Sequence, residues 1–457
     1  MAKCHGYALP AAIVALITGL SAALYVSVAH GDGAPAGGPA AGRAPRGSAA
    51  PASTGTWVGA WATAPAAAEP GTAAVGMAGR SVRNVVHAGV AGTSARITLS
   101  NLYGRSPLTV THASLAVAAR PGTAAAAAGT MRRLTFSGAA TVVVPAGGQV
   151  ISDAVRVAVP RGGDVLVTTY SPTPSGPVTY HPAARQISYL ARGDRTEDVT
   201  GTPYTEPTRY WRYLTALDVL SNEADGTVVA FGDSITDGVA STTGANRRWP
   251  DVLSGRLRAA AAAGRDVPRY SVVNEGISGN RVLADGPARP TGDSRRPAEG
   301  SGRPADNPSG LGRFRRDVLE RANAKVVVID LGVNDILRHP GAGDPAGITD
   351  GLRTLVRQAH ARGLKAVGAT LMPFRGHRGY TDAREAVRQQ VNAEIRSGRV
   401  FDAVVDFDAA LRDPYDPRRL RAPYDCGDHL HPSDLGYRRM GEFLDLAVLK
   451  GAVRAEL

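Results

Sequence analysis

The sequence predicts an α/β protein, a doubly wound parallel five-stranded sheet preceded by an all-β, sandwich-like domain. Three observations carry this. Stretches of β-branched residues between Gly/Pro turns recur from Trp57 to about Leu220. After Asn222 the rhythm changes to apolar run, loop, helix-periodic segment. Five such units then follow one another towards the C-terminus, as a parallel sheet with helices on both faces requires.

The chain of 457 residues divides, on this reading, into 1–29, 30–55, 56–222 and 223–457. The first piece reads as an export signal. Lys3 supplies a positive start, Ala11 to Leu24 an apolar stretch, and Ser27-Val28-Ala29 small residues for cleavage. An uncleaved anchor stays open, because Tyr7 to Val28 approaches the roughly 20 residues that span a bilayer. The expected location is secreted, with membrane contact only through such an anchor. Cys4 would leave with the signal, and Cys426 would then have no intrachain partner. Residues 30–55 are mostly Gly, Ala, Pro, Ser and Arg, too polar and broken to repay ordering, and read as a disordered linker.

In the β region, Arg96–Ser100, Leu108–Thr111, Thr141–Val144, Ala154–Val159 and Asp164–Tyr170 read as strands. They are separated by turns such as Pro160-Arg161-Gly162-Gly163. In the second half the strands are Thr227–Phe231, Tyr270–Val273, Lys325–Leu331, Lys365–Thr370 and Ala403–Phe407, short and apolar as buried parallel strands are. The helices between and after them are Pro250–Ala263, Gly312–Ala322, Ile348–Arg362, Thr381–Ser397 and Ser433–Lys450. Pro250 suits a first turn, and Ser433 suits a cap. Pro287–Ser309 interrupts the pattern and reads as a surface loop or as a lid.

The net charge of +12 suggests nucleic-acid binding, but its make-up argues against it. Of 52 basic residues only Lys3, Lys325, Lys365 and Lys450 are lysine. The arginines are scattered and no aromatics interleave with them as a stacking platform needs. We expect no nucleic-acid partner.

Four short blocks carry the chemistry. Ser234, in Gly232-Asp233-Ser234, follows the first parallel strand at the carboxyl end of the sheet, where ligands bind in such folds. A serine nucleophile needs a base and a group to orient that base. His431 and Asp428, three residues apart in one loop, can be both. A developing oxyanion needs fixed donors. The backbone N–H groups of Ser234 and Gly279 and the side-chain amide of Asn334 can supply them, each just past a strand. Each residue also has a plainer reading: Ser234 as turn or cap, Gly279 as loop glycine, Asn334 as helix cap. Asp428, His429 and His431 could instead chelate a metal, but no further ligand cluster or H-E-x-x-H accompanies them. Neither a metal nor an organic cofactor is expected.

These blocks resemble the SGNH/GDSL hydrolase superfamily. Its Ser, Gly, Asn and His match Ser234, Gly279, Asn334 in Gly332-Val333-Asn334-Asp335, and His431 in Asp428-x-x-His431. The resemblance covers about Thr227 to Leu449, and the β domain is similar to the one preceding this domain in secreted actinobacterial members. It implies the three-layer, flavodoxin-like form of the fold and a secreted serine esterase working through an acyl-serine intermediate. The expected substrate is an acyl or acetyl ester, with an acylated polysaccharide as the favoured carrier. A lipase or lysophospholipase-like esterase of the same fold stays open, as does a carbohydrate-binding surface protein with a decayed hydrolase domain. No G-x-S-x-G is present, which disfavours an α/β-hydrolase.

The residues around the blocks have less specific readings. Asp237 could line the pocket but better suits the N-terminus of a following helix. Asp233 suits loop backbone bonding, and His429 a loop position facing away. Arg281 and Trp249 could contact substrate or simply pack, and Cys426 is structural.

Overall fold

The computed structural model describes residues 55–286 and 306–451, which belong to one compact unit. The expected export signal, the linker up to residue 54 and positions 287–305 of the insertion lie outside the described residues. Among the described residues no helix is long and apolar enough to cross a membrane.

The β region is a sandwich of two antiparallel sheets. We number its longer strands β1 (Thr56–Ala62), β2 (Arg80–His87), β3 (Gly92–Ser100), β4 (His112–Val117), β5 (Val155–Val159), β6 (Asp164–Ser171), β7 (Ser188–Arg192) and β8 (Leu214–Ser221). One sheet runs β1–β8–β3–β5, with Gln149–Ile151 also on β3. The other runs Glu206–Thr208, β7, β2, β6, β4, Arg132–Arg133. Alternate residues from both inner faces meet in one core, among them Val58, Ile97, Leu217 and Val219 against Val82, Val86, Leu115 and Val167.

Strand β2 had no clear sequence signal because its centre is polar and buried. Arg83 donates to Thr168 Oγ1 at 2.9 Å and to the carbonyls of Ala124 and Asp198 at 2.6 and 2.8 Å, while Asn84 donates to Arg212 O at 3.0 Å. Such satisfied groups are tolerated in a core but hide the period-2 pattern.

Pairing changes from antiparallel to parallel between Ser221 and Gly226. Strands β9 (Gly226–Gly232), β10 (Tyr270–Gly276), β11 (Ala324–Asp330), β12 (Lys365–Ala369) and β13 (Ala403–Val405) form a sheet in the order β10–β9–β11–β12–β13. Strand order reverses at β9, so the gap between the carboxyl ends of β9 and β11 is the natural ligand crevice. The helices, in order, are α1 (Ser234–Asp237), α2 (Trp249–Ala262), α3 (Gly310–Phe314), α4 (Val333–Leu337), α5 (Pro345–His360), α6 (Asp382–Arg396), α7 (Phe407–Leu411) and α8 (Asp434–Phe443).

The long helices follow their sequence signals. Asp344 caps α5 through Ala346 N at 3.0 Å, and Ile348, Leu352, Leu355 and Ala359 bury one stripe. Thr381 caps α6 through Arg384 N at 3.2 Å, and Val387, Val391 and Ile395 do the same there.

Three elements differ from expectation. The helix read as Gly312–Ala322 is α3 running into a π-turn, Arg315–Leu319. The fully buried Arg313 explains its position: its guanidinium donates to Gly232 O at 2.8 Å, Glu275 O at 2.7 Å and Asn280 Oδ1 at 2.9 Å, clamping the ends of β9 and β10. The last helix stops at Phe443, and Asp445 caps a separate 3₁₀ turn, Leu446–Leu449. The strand read to Phe407 ends at Val405, because Asp406 caps α7 through Ala409 N at 3.0 Å.

The end of the insertion is no loose loop. Asn307 N donates to Ala66 O of the sandwich at 2.6 Å and Asn307 Nδ2 to Ser278 O at 3.0 Å, while Ser309 caps α3.

Candidate active site

The sheet delivers Ser234 directly. Gly232 ends β9, and Asp233 caps the one-turn α1 by accepting from Ile235 N at 3.0 Å, so Ser234 begins α1 at the strand's carboxyl end. Its hydroxyl is 2.8 Å from His431 Nε2, and His431 Nδ1 is 2.6 Å from Asp428 Oδ2. The other Asp428 oxygen accepts from the backbone N–H groups of Leu430 and His431 at 3.0 and 2.8 Å. Burial alone would raise the Asp428 carboxyl, but these N–H groups and the imidazole outweigh it and hold it at about 2.

The loop that carries the pair is pinned at both ends. Cys426 N donates to His431 O at 3.0 Å, Ser433 N to Tyr424 O at 2.8 Å, and Ser433 Oγ caps α8 through Gly436 N at 3.2 Å.

The two other expected donors follow the neighbouring parallel strands, Gly279 after β10 and Asn334 after β11. Gly279 has φ of +77°, a left-handed conformation that favours glycine. Its neighbours' N–H groups are engaged, Ser278 N by Asp237 Oδ2 at 3.0 Å and Asn280 N by Ile277 O at 3.0 Å. Among the described residues the Gly279 N–H has no protein acceptor. Asn334, in α4 just past β11, gives one amide hydrogen to Asp233 Oδ2 at 3.2 Å, and its oxygen faces Arg338 Nε at 3.4 Å. That polarity points Nδ2 inward as a donor with one hydrogen to spare.

Beneath these groups lies a buried acidic cluster. Asp233 is pushed well above the usual carboxylate range, by burial first and by Asp330 second. Burial lifts Asp330 to about 7, against the bond from Thr236 Oγ1 at 3.0 Å, and it also raises Asp335. Asp233 accepts from Ile235 N through one oxygen and from the Asn334 amide through the other.

Some expectations need correcting. Asp237 closes α1 and serves as a buried junction. It accepts from Ser278 N at 3.0 Å and Ser278 Oγ at 2.6 Å, and its other oxygen lies 3.1 Å from Nε2 of His181, in the β region. His181 Nδ1 lies 2.8 Å from Ala64 O, so both ring nitrogens face acceptors. Gly276 permits this closeness, since a Cβ there would lie 2.3 Å from Asp237 N. His181 carried no sequence signal, because it comes from the other domain and stands in no motif.

Trp249 is fully buried, donating to Thr236 Oγ1 at 3.2 Å and packing on Phe407, so it is a core residue. His429 pairs with Asp425 at 2.6 Å and is half exposed, whereas His431 is mostly covered. Asp428 and His431 belong to the serine chain, while Asp425, Cys426 and Asp428 bring ligand atoms close together with no fourth His, Cys or carboxylate in that group among the described residues. Cys426 is free and exposed.

A 2-1-3-4-5 parallel sheet with these four blocks at its carboxyl edge defines the SGNH class of three-layer α/β proteins. Residues 230–439 match the model of the GDSL-like lipase/acylhydrolase family. Similar solved structures include a GDSL-like lipase from Bacteroides thetaiotaomicron VPI-5482, 22% identical over 49% of this chain and 87% of that one, with a TM-score of 0.32. A carbohydrate acetylesterase from Sinorhizobium meliloti is 17% identical over 48% and 95%, TM-score 0.34. An aryl esterase from M. smegmatis is 17% identical over 48% and 95%, TM-score 0.35. No curated protein matches the chain.

Proposed function

We propose that the protein is an exported serine esterase that removes acyl groups, acetyl above all, from a carbohydrate. The observation that carries the chemistry is the unbroken path Ser234 Oγ to His431 Nε2 to Asp428, at 2.8 and 2.6 Å. In this reading His431 takes the Ser234 proton as the hydroxyl attacks the ester carbonyl, and returns it to the leaving alcohol. Asp428, ionised down to about pH 2, holds the imidazole in the tautomer that accepts from serine and stabilises the imidazolium. The N–H groups of Ser234 and Gly279 and the Asn334 amide stabilise the oxyanion. Water, giving a proton to His431, then attacks the acyl carbon; the bond to Ser234 Oγ breaks, His431 returns the proton to Oγ, and the free acid leaves.

The carbohydrate part rests on the pairing of this site with a sandwich domain, and export on Lys3, Ala11–Leu24 and Ser27–Ala29. A Ser234→Ala protein with an unchanged melting curve should lose p-nitrophenyl acetate hydrolysis by at least about 10³-fold. The same assay on the medium of producing cells follows export. Retained activity in the variant would remove Ser234 from the mechanism.

A further inference from the structure

The oxyanion side of the site carries two arginines that the hydrolytic reading leaves without a task. Arg338 follows α4, four residues after Asn334, and its side chain is exposed. Its guanidinium lies directly over Gly279: a Cβ there would stand 2.4 Å from Nη2 and 3.0 Å from Cζ. Its Nε makes a long contact, 3.4 Å, with Asn334 Oδ1. Arg338 therefore spans two of the three expected oxyanion donors while keeping both terminal nitrogens open. Arg281, two residues after Gly279, donates to Asp285 O through Nη2, and its Nε is buried with no partner.

The nearby carboxylates bond to other groups and not to this pair. Asp335 spends its two oxygens on Val282 N and Leu283 N at 2.8 and 3.0 Å. Asp285 accepts from Ser309 N at 2.7 Å, and Asp233 from Ile235 N and Asn334. Among the described residues neither Arg281 nor Arg338 is ion-paired, unlike the fully buried Arg313 and Arg388. Partial burial first, and then the neighbouring charge of Arg281, press the Arg338 guanidinium down, with Asp233 acting against them.

We propose that Arg338, backed by Arg281, forms a subsite for a carboxylate on the substrate, close to the ester that is cleaved. A guanidinium fork matches a carboxylate bidentately, and the anion relieves the repulsion between the two cations. The preferred substrate is thus an acidic ester, on a uronate-like unit in the carbohydrate reading. This deepens the Ser234 reading, and the test separates the two.

Binding of 3-acetoxybenzoate and its neutral isostere 3-acetoxybenzamide to the Ser234→Ala protein is measured by calorimetry, so that no turnover is needed. The acid should bind about tenfold more tightly or better, the gap narrowing as salt rises. Arg338→Gln in the same background should bring the ratio towards one, and Arg338→Lys should keep part of it. In the Ser234-containing protein the kcat/KM ratio for the two esters should follow the same order. Equal binding of acid and amide, or a ratio untouched by Arg338→Gln in a protein that melts normally, would overturn the subsite. Failure to hydrolyse p-nitrophenyl acetate would instead count against the Ser234 reading and leave the binding comparison to decide this one.

Discussion

Asn334 shows how much a single side chain is asked to do. Its amide is held by Asp233 on the nitrogen side, at 3.2 Å, and faces Arg338 on the oxygen side, so its second N–H is aimed before any substrate arrives. Donors fixed in advance act mostly on the transition state, and losing one typically costs about 10²–10³ in kcat. Asn334→Ala should therefore lower kcat on p-nitrophenyl acetate by about that factor with little change in KM. A rise in KM at constant kcat would place Asn334 in ground-state binding instead. At this scale the sequence singles out Ser234, Gly279 and Asn334 by their places just past strands, and the structure brings the loop residues His431 and Asp428 into a chain with Ser234. The sequence was unreadable where a role depends on a distant partner. Asp237 looks like a helix-terminus acid until His181, 56 residues upstream, is seen against it. Arg338 belongs to no motif at all.

At the level of elements, the short strand Thr179–His181, in a small sheet of the β region with Trp211–Arg212 and Ala67–Ala68, and the one-turn α1 meet through Asp237, and Asp237 in turn fixes the loop bearing Gly279. A domain that looks separable in sequence thus braces an expected oxyanion donor. His181→Ala leaves Asp237 buried with one oxygen unpartnered, a loss of roughly 1–3 kcal/mol in stability. If the brace matters to catalysis, kcat should also fall, by about tenfold, with KM nearly constant at temperatures well below the melting point. Asn or Gln at position 181, able to donate one bond, should recover part of the rate. Lowered melting with unchanged kcat would reduce His181 to a packing residue. Most of the parallel strands were legible because they hold apolar runs, Val326–Ile329 being the clearest, whereas β10 keeps only Val272 and Val273 between polar residues. The segment around Arg313 was not, because its shape is set by carbonyls at the ends of other strands.

Across the whole molecule, the seam between sandwich and parallel sheet is held by both apolar packing and hydrogen bonds. Edge strand β10 is covered by β1, where Gly59 N donates to Thr227 Oγ1 at 3.1 Å and a Cβ on Gly59 would lie 2.8 Å from Val273. Ala62 and Ala216 of the sandwich join the core of the α/β layer. Arg258 and Arg321 reach across to Gly89 O and Thr215 O at 2.8 and 3.4 Å. In this seam Glu275 of β10 is fully buried and neither carboxylate oxygen accepts a hydrogen bond. Arg321 stands 3.5 Å away and favours the charged form, but burial outweighs it and lifts the carboxyl to about 8. An acid raised on folding keeps its proton in the folded state after the unfolded chain has lost it. The folded state then binds more protons between about 4.5 and 8, so stability declines as pH rises through that window and levels off above it. Glu275→Gln keeps the shape without the titration. Its melting temperature should track that of the parent near pH 4 and exceed it increasingly up to pH 8, in a single transition because the seam couples both layers. Melting curves that stay parallel from pH 4 to 9 would show that Arg321 already compensates the charge, and two separate transitions would show that the sandwich and the α/β layer hold themselves up independently.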